Sequence, residues 1–542
     1  MKRIHRLSSL PLLAFAIPAP AAAADLFLTS DNCMACHNGL YTAKGEDVSV
    51  GFAWRGSAMA HAARDPYWQA SVRREVTDHG GAGAAIENEC SRCHMPMHNV
   101  TVQAGGRLAQ VFANLGRTAA PETAAPAQDG VSCSVCHQIE ADKLGTPESF
   151  VGHFVVDLGG RRPRKALGPY EVEPPLARLM RSATDFLPAQ AAHVRSSELC
   201  ATCHTLYTEA LGPNGKPLGR LPEQVPYLEW RESAYRDGPT CAGCHMPEVE
   251  GPVPIANLLS EPHTGVGRHT FLAGNFLLPA MLERLGVASP ALPQDFENGR
   301  TKARAFLSQQ SAKLAIGEVQ VKDGRLETEL AVENLAGHKL PTAYPSRRAW
   351  LHVVVKDGAG KVVFESGAVA GSGKIAGNDN DEDARRFEPH HEVIELPDQV
   401  QIYEPILGDA QGQVTTGLLD GVRYLKDNRL LPSGFDKQRA PYDVAVHGRA
   451  FADPDFADGA DRVRLRVPVG QGRAPFQVEA ELLYQPIGFR WANNLRAVSG
   501  AEAPRFTRAY DALAAVSFQR LASAKAVQVM PPSTPAATTP AP

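Results

Sequence analysis

The chain has 542 residues, 44% of them hydrophobic and 21% charged, with a formal net charge of −4 at pH 7. Such a balance argues against nucleic acid and against an anionic membrane surface as partner. The length allows roughly two to four domains at about 150 residues each, and a sizeable buried core.

In chain order, Lys2, Arg3 and Arg6 precede an apolar stretch from Leu10 to Ile17 and then Ala22-Ala23-Ala24. This is the pattern of a secretory signal peptide, with cleavage expected after Ala24. The stretch is too short for a bilayer, and no later run approaches the roughly 18 apolar residues of a membrane helix. The expectation is an exported protein without a transmembrane segment, located in the periplasm, outside the cell or at its surface.

All ten cysteines fall in five copies of Cys-x-x-Cys-His: Cys33, Cys36 and His37; Cys90, Cys93 and His94; Cys133, Cys136 and His137; Cys200, Cys203 and His204; Cys241, Cys244 and His245. One copy alone is compatible with a zinc half-site or a redox dithiol. Five copies, each followed by His and leaving no cysteine over, form the attachment signature of c-type heme. Each thiol pair makes thioethers to a porphyrin, and the adjacent histidine supplies one axial ligand to iron. The cofactors expected are five covalent hemes c, with His37, His94, His137, His204 and His245 as proximal ligands. Ten cysteines in an exported chain would ordinarily suggest disulfides, and here none is expected.

The motifs lie about 40 to 70 residues apart, which leaves room for short helices and loops around each heme. Ala189 to Cys203, without internal Pro or Gly, predicts one helix carrying His193 and the fourth motif. Pro226 suits a first helical turn and Gly238 a stop, predicting a short helix between them. From about Leu314 the period changes to two, as in Arg325-Leu326-Glu327-Thr328-Glu329-Leu330-Ala331-Val332, Arg462 to Val467, and Phe476 to Tyr484. Turns are expected at Lys322-Asp323-Gly324 and Lys356-Asp357-Gly358-Ala359-Gly360. A helix is expected from about Arg505 to Ala524, and the Pro-, Thr- and Ala-rich end reads as a disordered tail.

The fold expected is multidomain: a mainly α/coil multiheme cytochrome c domain followed by an antiparallel β-sandwich-like domain. The boundaries are a signal peptide at 1–24, a pentaheme domain at 25–310, a β domain at 311–500, a C-terminal helix at 501–527 and a tail at 528–542.

Of 18 histidines, seven outside the motifs and the expected signal peptide lie in the first half: His61, His79, His98, His153, His193, His263 and His269. A second axial histidine closes an iron for electron transfer, whereas an absent one leaves it open to a substrate. His193 ranks first as a distal ligand because it leads into the fourth motif, and His269 second because it follows the last motif. His61 and His153 come next, with Met59 as a thioether competitor to His61. His98, four residues after His94, has to serve a neighbouring heme. In the second half His338, in a Gly- and Pro-bounded loop, and His390 and His391 are expected to be structural before they are ligands. Asn378-Asp379-Asn380-Asp381-Glu382-Asp383 is a weak calcium candidate, for which a solvated acidic loop is the commoner explanation.

Gly130-Val131-Ser132-Cys133-Ser134-Val135-Cys136-His137 and Cys241-Ala242-Gly243-Cys244-His245-Met246-Pro247 resemble the multiheme cytochrome c superfamily that includes the cytochrome c-554-like proteins. The resemblance covers roughly residues 32–275. Gly337 to Thr342 and Lys426 to Pro432 resemble a β-rich extension of some larger bacterial members. It implies closely stacked hemes, mostly with paired histidines, passing electrons between a redox protein donor and acceptor. A fifth motif and the extension depart from the tetraheme members. No Cys-x-x-Cys-Lys occurs, unlike the pentaheme nitrite reductases with a lysine-ligated catalytic heme. The function expected is electron transfer in respiration with no catalytic side chain; the alternative is an oxidoreductase acting on a small nitrogen or sulfur compound at one open heme.

Overall fold

The computed structural model describes residues 26–116, 121–159 and 163–529. The expected signal peptide, and the tail from residue 530 onward, lie outside the described residues.

The first half is built from short helices whose ends follow local chemistry. Asp65 caps the helix Pro66–Asp78, its carboxylate accepting from the Tyr67 (2.8 Å) and Trp68 (3.4 Å) amides, with Pro66 in the first turn. The helix Gly83–His94 ends on the second motif because Pro96 restricts Met95, which sits at φ −133°, and Pro96 then opens the helix Pro96–Ala104. The expected single helix over Ala189 to Cys203 is not formed. Phe186–Gln190 is a strand paired in parallel with Arg164–Gly168, Ala192–Arg195 is a 3-10 turn, and Ser197–Ala201 alone is α-helical. A distant strand satisfies the backbone that local propensity assigns to a helix.

The second half holds two five-stranded sheets. One runs Val393–Ile394, Ala460–Pro468, Arg325–Asn334, Ala312–Ile316, with Gln320–Lys322 also on Arg325–Asn334. The other runs Ile402–Tyr403, Arg348–Lys356, Gln477–Gln485, Gln519–Val527, with Val362–Ser366 on Arg348–Lys356. Alternation sets the faces: Leu326, Leu330, Val332, Val463, Leu465 and Val467 are at most 1% exposed, while Arg462 and Arg466 pair outward with Glu329 and Glu327. The expected helix to Ala524 stops at Leu513, apart from a 3-10 turn, and Gln519–Val527 is instead a strand against Gln477–Gln485.

Both sheets share one apolar core, and that core also contains Tyr67, Ala70, Phe276, Leu277 and Met281 of the first half. It crosses the boundary expected at residue 310. A fully buried side chain of this kind is worth about 1.5–3 kcal/mol, so the two halves are joined by packing rather than by a linker alone. A further sheet of Pro405–Gly408, Val414–Thr415 and Arg423–Asp427 ends on Asp427 at this junction.

In the loop considered for calcium, Asp381 pairs with Arg348 (2.8 Å), Asp379 with Arg386 (2.6 Å), Glu382 with Lys374 (3.2 Å) and Asp383 with Arg385 (3.4 Å). Cations of the chain already neutralise these carboxylates, and they do not converge on one point.

Candidate functional site

A connected cavity of about 1670 Å³ runs through the first half and reaches the β module. It exceeds the ~300–1,000 Å³ of a site for one small molecule. All ten motif cysteines and all five motif histidines line it.

One turn of helix explains why these side chains converge. Positions i, i+3 and i+4 share a face, and the histidine amide closes the turn onto the first cysteine carbonyl for His37 (3.1 Å), His137 (3.1 Å) and His204 (2.9 Å). Motifs also approach one another. The helices Ser30–Met34 and Cys133–Cys136 touch, as do Ser197–Ala201 and Cys241–His245. Gly152 separates the second motif from the fourth: its amide donates to Thr202 O (2.7 Å), and a Cβ there would lie 3.3 Å from Cys93 Sγ and 2.9 Å from Arg92 Cβ.

Four motif imidazoles are oriented by Nδ1–H donation to a backbone carbonyl: His37 to Ile255 (2.6 Å), His94 to Ala62 (2.9 Å), His137 to Leu167 (2.6 Å) and His245 to Leu272. This fixes the tautomer and leaves Nε2 with a lone pair for a metal. Trp68 stacks on His94 at 4.4 Å, 2° from parallel. Burial pushes His94 and His204 down to about 4 and lowers His137 and His245. Neutral imidazole is the form a metal requires.

Two further histidines face motif histidines across the cavity. The His269 ring lies 6.4 Å from His137 and 18° from parallel, and the His338 ring 6.2 Å from His245 and 9° from parallel. Two imidazoles bound to one metal at about 2.0–2.1 Å each have centroids about 6.3 Å apart. Both newcomers also donate from Nδ1 to a carbonyl, His269 to Gly267 (3.0 Å) and His338 to Lys339 (2.9 Å). Heme iron therefore fits between each pair. Among the described residues no histidine ring opposes His37, His94 or His204 in this way.

His61, His98, His153 and His193 do not line the cavity. His61 is 0% exposed, donates from Nε2 to Arg55 O (2.8 Å) and packs on Phe296, and burial pushes it down to about 4. His98 Nε2 accepts from Asn114, His153 Nδ1 donates to Phe150 O, and His193 Nε2 donates to Ile139 O. His79 pairs with Asp420 at 3.4 Å. Met59 and His263 do line the cavity, with His263 beside Tyr170.

His338, expected from sequence to be structural before it is a ligand, lines the cavity beside His245. Its loop is anchored by a buried, charge-balanced quartet of Glu229, Lys339, Asp427 and Arg429, each at most 4% exposed. Glu229, on the helix Pro226–Arg231, accepts from the Lys339 amide (3.1 Å), Thr342 Oγ1 (2.5 Å) and Arg429 Nη1 (2.8 Å). Asp427 accepts from Lys339 Nζ (2.7 Å) and Arg429 Nε (2.8 Å). Burial alone pushes the Asp427 carboxyl up, but Arg429 and Lys339 outweigh it and hold it well below the usual range. The flanking Gly337 permits close approach, since a Cβ there would lie 3.1 Å from Tyr235 Cγ. The signal in sequence was that glycine- and proline-bounded loop.

His390, Asp453 and Asp461 gather their ligand atoms within 4.8 Å in the β module. His390 Nδ1 accepts from Gln401 (2.8 Å) and Asn428 (3.1 Å), whose amide orientations are set by the His391 and Glu404 backbone amides. Nε2 must then carry the proton it donates to Asp453 (2.9 Å), so this histidine braces the module and has no lone pair for a metal. His391 likewise pairs locally, with Glu388 at 2.7 Å.

No protein-family model matches the chain, and no curated protein is similar to it. Among solved structures, the crystal structure of a penta-heme cytochrome c552 from Thermochromatium tepidum is similar over 93% of this chain and 99% of that chain, with a TM-score of 0.53 and 16% identity. At that identity the likeness concerns the fold alone. Among the described residues no helix is long and apolar enough to cross a membrane.

Proposed function

We propose that this chain is an exported pentaheme c-type cytochrome that relays electrons between a redox protein donor and an acceptor. The observation that carries the reading is the convergence of five thiol-thiol-imidazole sets on one cavity, two of them faced by a second, nearly parallel imidazole. Bound heme would supply reversible one-electron chemistry. Cys33, Cys36, Cys90, Cys93, Cys133, Cys136, Cys200, Cys203, Cys241 and Cys244 would hold it covalently. The motif histidines would bind iron, and for His37, His94, His137 and His245 a carbonyl acceptor on Nδ1 leaves Nε2 free to do so. His269 and His338 would supply a second imidazole at the third and fifth sites, which would favour electron transfer over substrate binding there. The β domain, β-sandwich-like in our reading, delivers His338 and braces the array. Counting hemes per chain by pyridine hemochrome, with low-spin and high-spin irons counted by electron paramagnetic resonance, tests this; a protein that matures without covalent heme refutes it.

A second reading is supported by the sites of His37, His94 and His204, which have no opposing histidine ring among the described residues. An open iron there would suit reduction or oxidation of a small nitrogen or sulfur compound. A high-spin signal together with turnover of nitrite, hydroxylamine or a sulfur oxyanion would establish it, and a wholly low-spin protein would count against it.

A further inference from the structure

Two carboxyl groups on the cavity wall have no place in the electron relay described above. Glu75 and Glu223 are 5% and 4% exposed, and both line the cavity on the side of the second motif. The helix Pro66–Asp78, which carries Glu75, packs on the helix Gly83–His94, which carries Cys90, Cys93 and His94. Glu223, on the strand Pro217–Gln224, accepts from the Thr208 hydroxyl and more weakly from Gln224 (3.4 Å); among the described residues it has no ion-pair partner. Glu75 accepts from the Leu418 (2.9 Å) and Leu419 (3.2 Å) amides, and His79 Nε2 lies 4.0 Å from it.

We propose that Glu75 and Glu223 form a proton-binding site that takes up a proton when the group held by Cys90, Cys93 and His94 gains an electron. This rests on the heme reading above. Burying a carboxylate without a cation is costly, and an added negative charge across a dry cavity wall raises that cost further. The balanced step is one electron from an external donor to the bound iron, and one proton from solvent to a carboxylate, which becomes a carboxyl.

The surroundings fit this assignment from every side. Burial pushes both groups up to about 7, with Arg74 and the two amides opposing at Glu75 and Thr208 opposing at Glu223; Asp420 adds to the rise at Glu75, and Glu75 to the rise at Glu223. The remaining titratable groups facing the pair are Tyr344, Tyr424, Cys90, His79 and Asp420. Burial raises both tyrosines, so they stay neutral. A void of about 10 Å³, room for one water, adjoins Glu75 between Ser71, Arg74, Tyr344 and Thr416. Asp420, its side chain 37% exposed, links His79 to solvent. Protons thus have a polar route to the pair.

The test is a spectroelectrochemical titration of the whole heme-loaded protein between pH 6 and pH 8, with redox-difference infrared spectra. One component should fall in potential by about 59 mV per pH unit, the one-electron equivalent of a tenfold change in proton activity, and a protonated carboxyl band should appear on reduction. In the E75Q/E223Q double variant both should vanish. A slope that survives in the double variant would assign the proton to a heme propionate and overturn the proposal. Should the double variant fail to fold, wild type decides: a pH-independent potential and no carboxyl band overturn it. Absence of covalent heme would instead refute the heme reading, which the pyridine hemochrome assay reports separately.

Discussion

Replacing His338 by Ala removes the imidazole that sits 6.2 Å from His245 and nearly parallel to it. If the pair closes one iron, the variant should convert one heme in five to a form that binds carbon monoxide on reduction, raising the bound carbon monoxide by one per chain. The E229Q variant approaches the same site through its anchor. Wild type balances Lys339 and Arg429 against Glu229 and Asp427, all at most 4% exposed. Gln at 229 leaves two buried cations facing one anion, and breaking such a balance costs about 3–5 kcal/mol. E229Q should therefore lower the unfolding midpoint markedly and loosen the loop of His338, giving partial carbon monoxide binding at the same heme. H338A lacks this charge defect and should be much the milder variant in stability. A folded H338A protein with unchanged spin count and carbon monoxide stoichiometry would refute the ligand assignment.

Gly152 stands at φ +72°, and a Cβ there would lie 2.9 Å from Arg92 Cβ. G152A should cost about 1–3 kcal/mol and reduce heme loading at the second motif, read by melting temperature and pyridine hemochrome. Glu223 is pushed up to about 7 by burial, so the folded state binds its proton more tightly than the unfolded chain does. That group's contribution is fully present at low pH and declines as pH rises from about 4.5 through about 7. E223Q should thus gain on the order of 3 kcal/mol relative to wild type between pH 5 and pH 8; denaturant titrations at the two pH values that show equal differences would sink the idea. The His390 node donates its Nε2 proton to Asp453. A chelator should leave the melting temperature of the whole protein unchanged, while D453N should cost about 1–3 kcal/mol, and chelator-induced destabilisation would show that a metal sits there after all.

Local chemistry in the sequence determined the parts whose physics is local. Cys-x-x-Cys-His places two thiols and an imidazole on one face within a single turn, and the alternation in Arg325–Asn334 and Ala460–Pro468 reports which side chains turn inward, whatever the rest of the chain does. Pro96 ends the second motif's helix at His94 by its effect on the preceding residue. The elements that escaped local reasoning depend on distant partners. Ala189 and Gln190 join a strand because Arg164–Gly168 offers hydrogen bonds, and Gln519–Val527 extends along Gln477–Gln485 for the same reason. The imidazoles opposite the motif histidines are of this kind too: His193 ranks ahead of His269 and His338 in sequence, and which of these rings reach the cavity is decided by folding. The choice of His338 in particular rests on a buried ion quartet whose members come from both halves of the chain, since only the assembled core brings Glu229 to Arg429 and supplies the low-dielectric setting in which their pairing holds a loop in place.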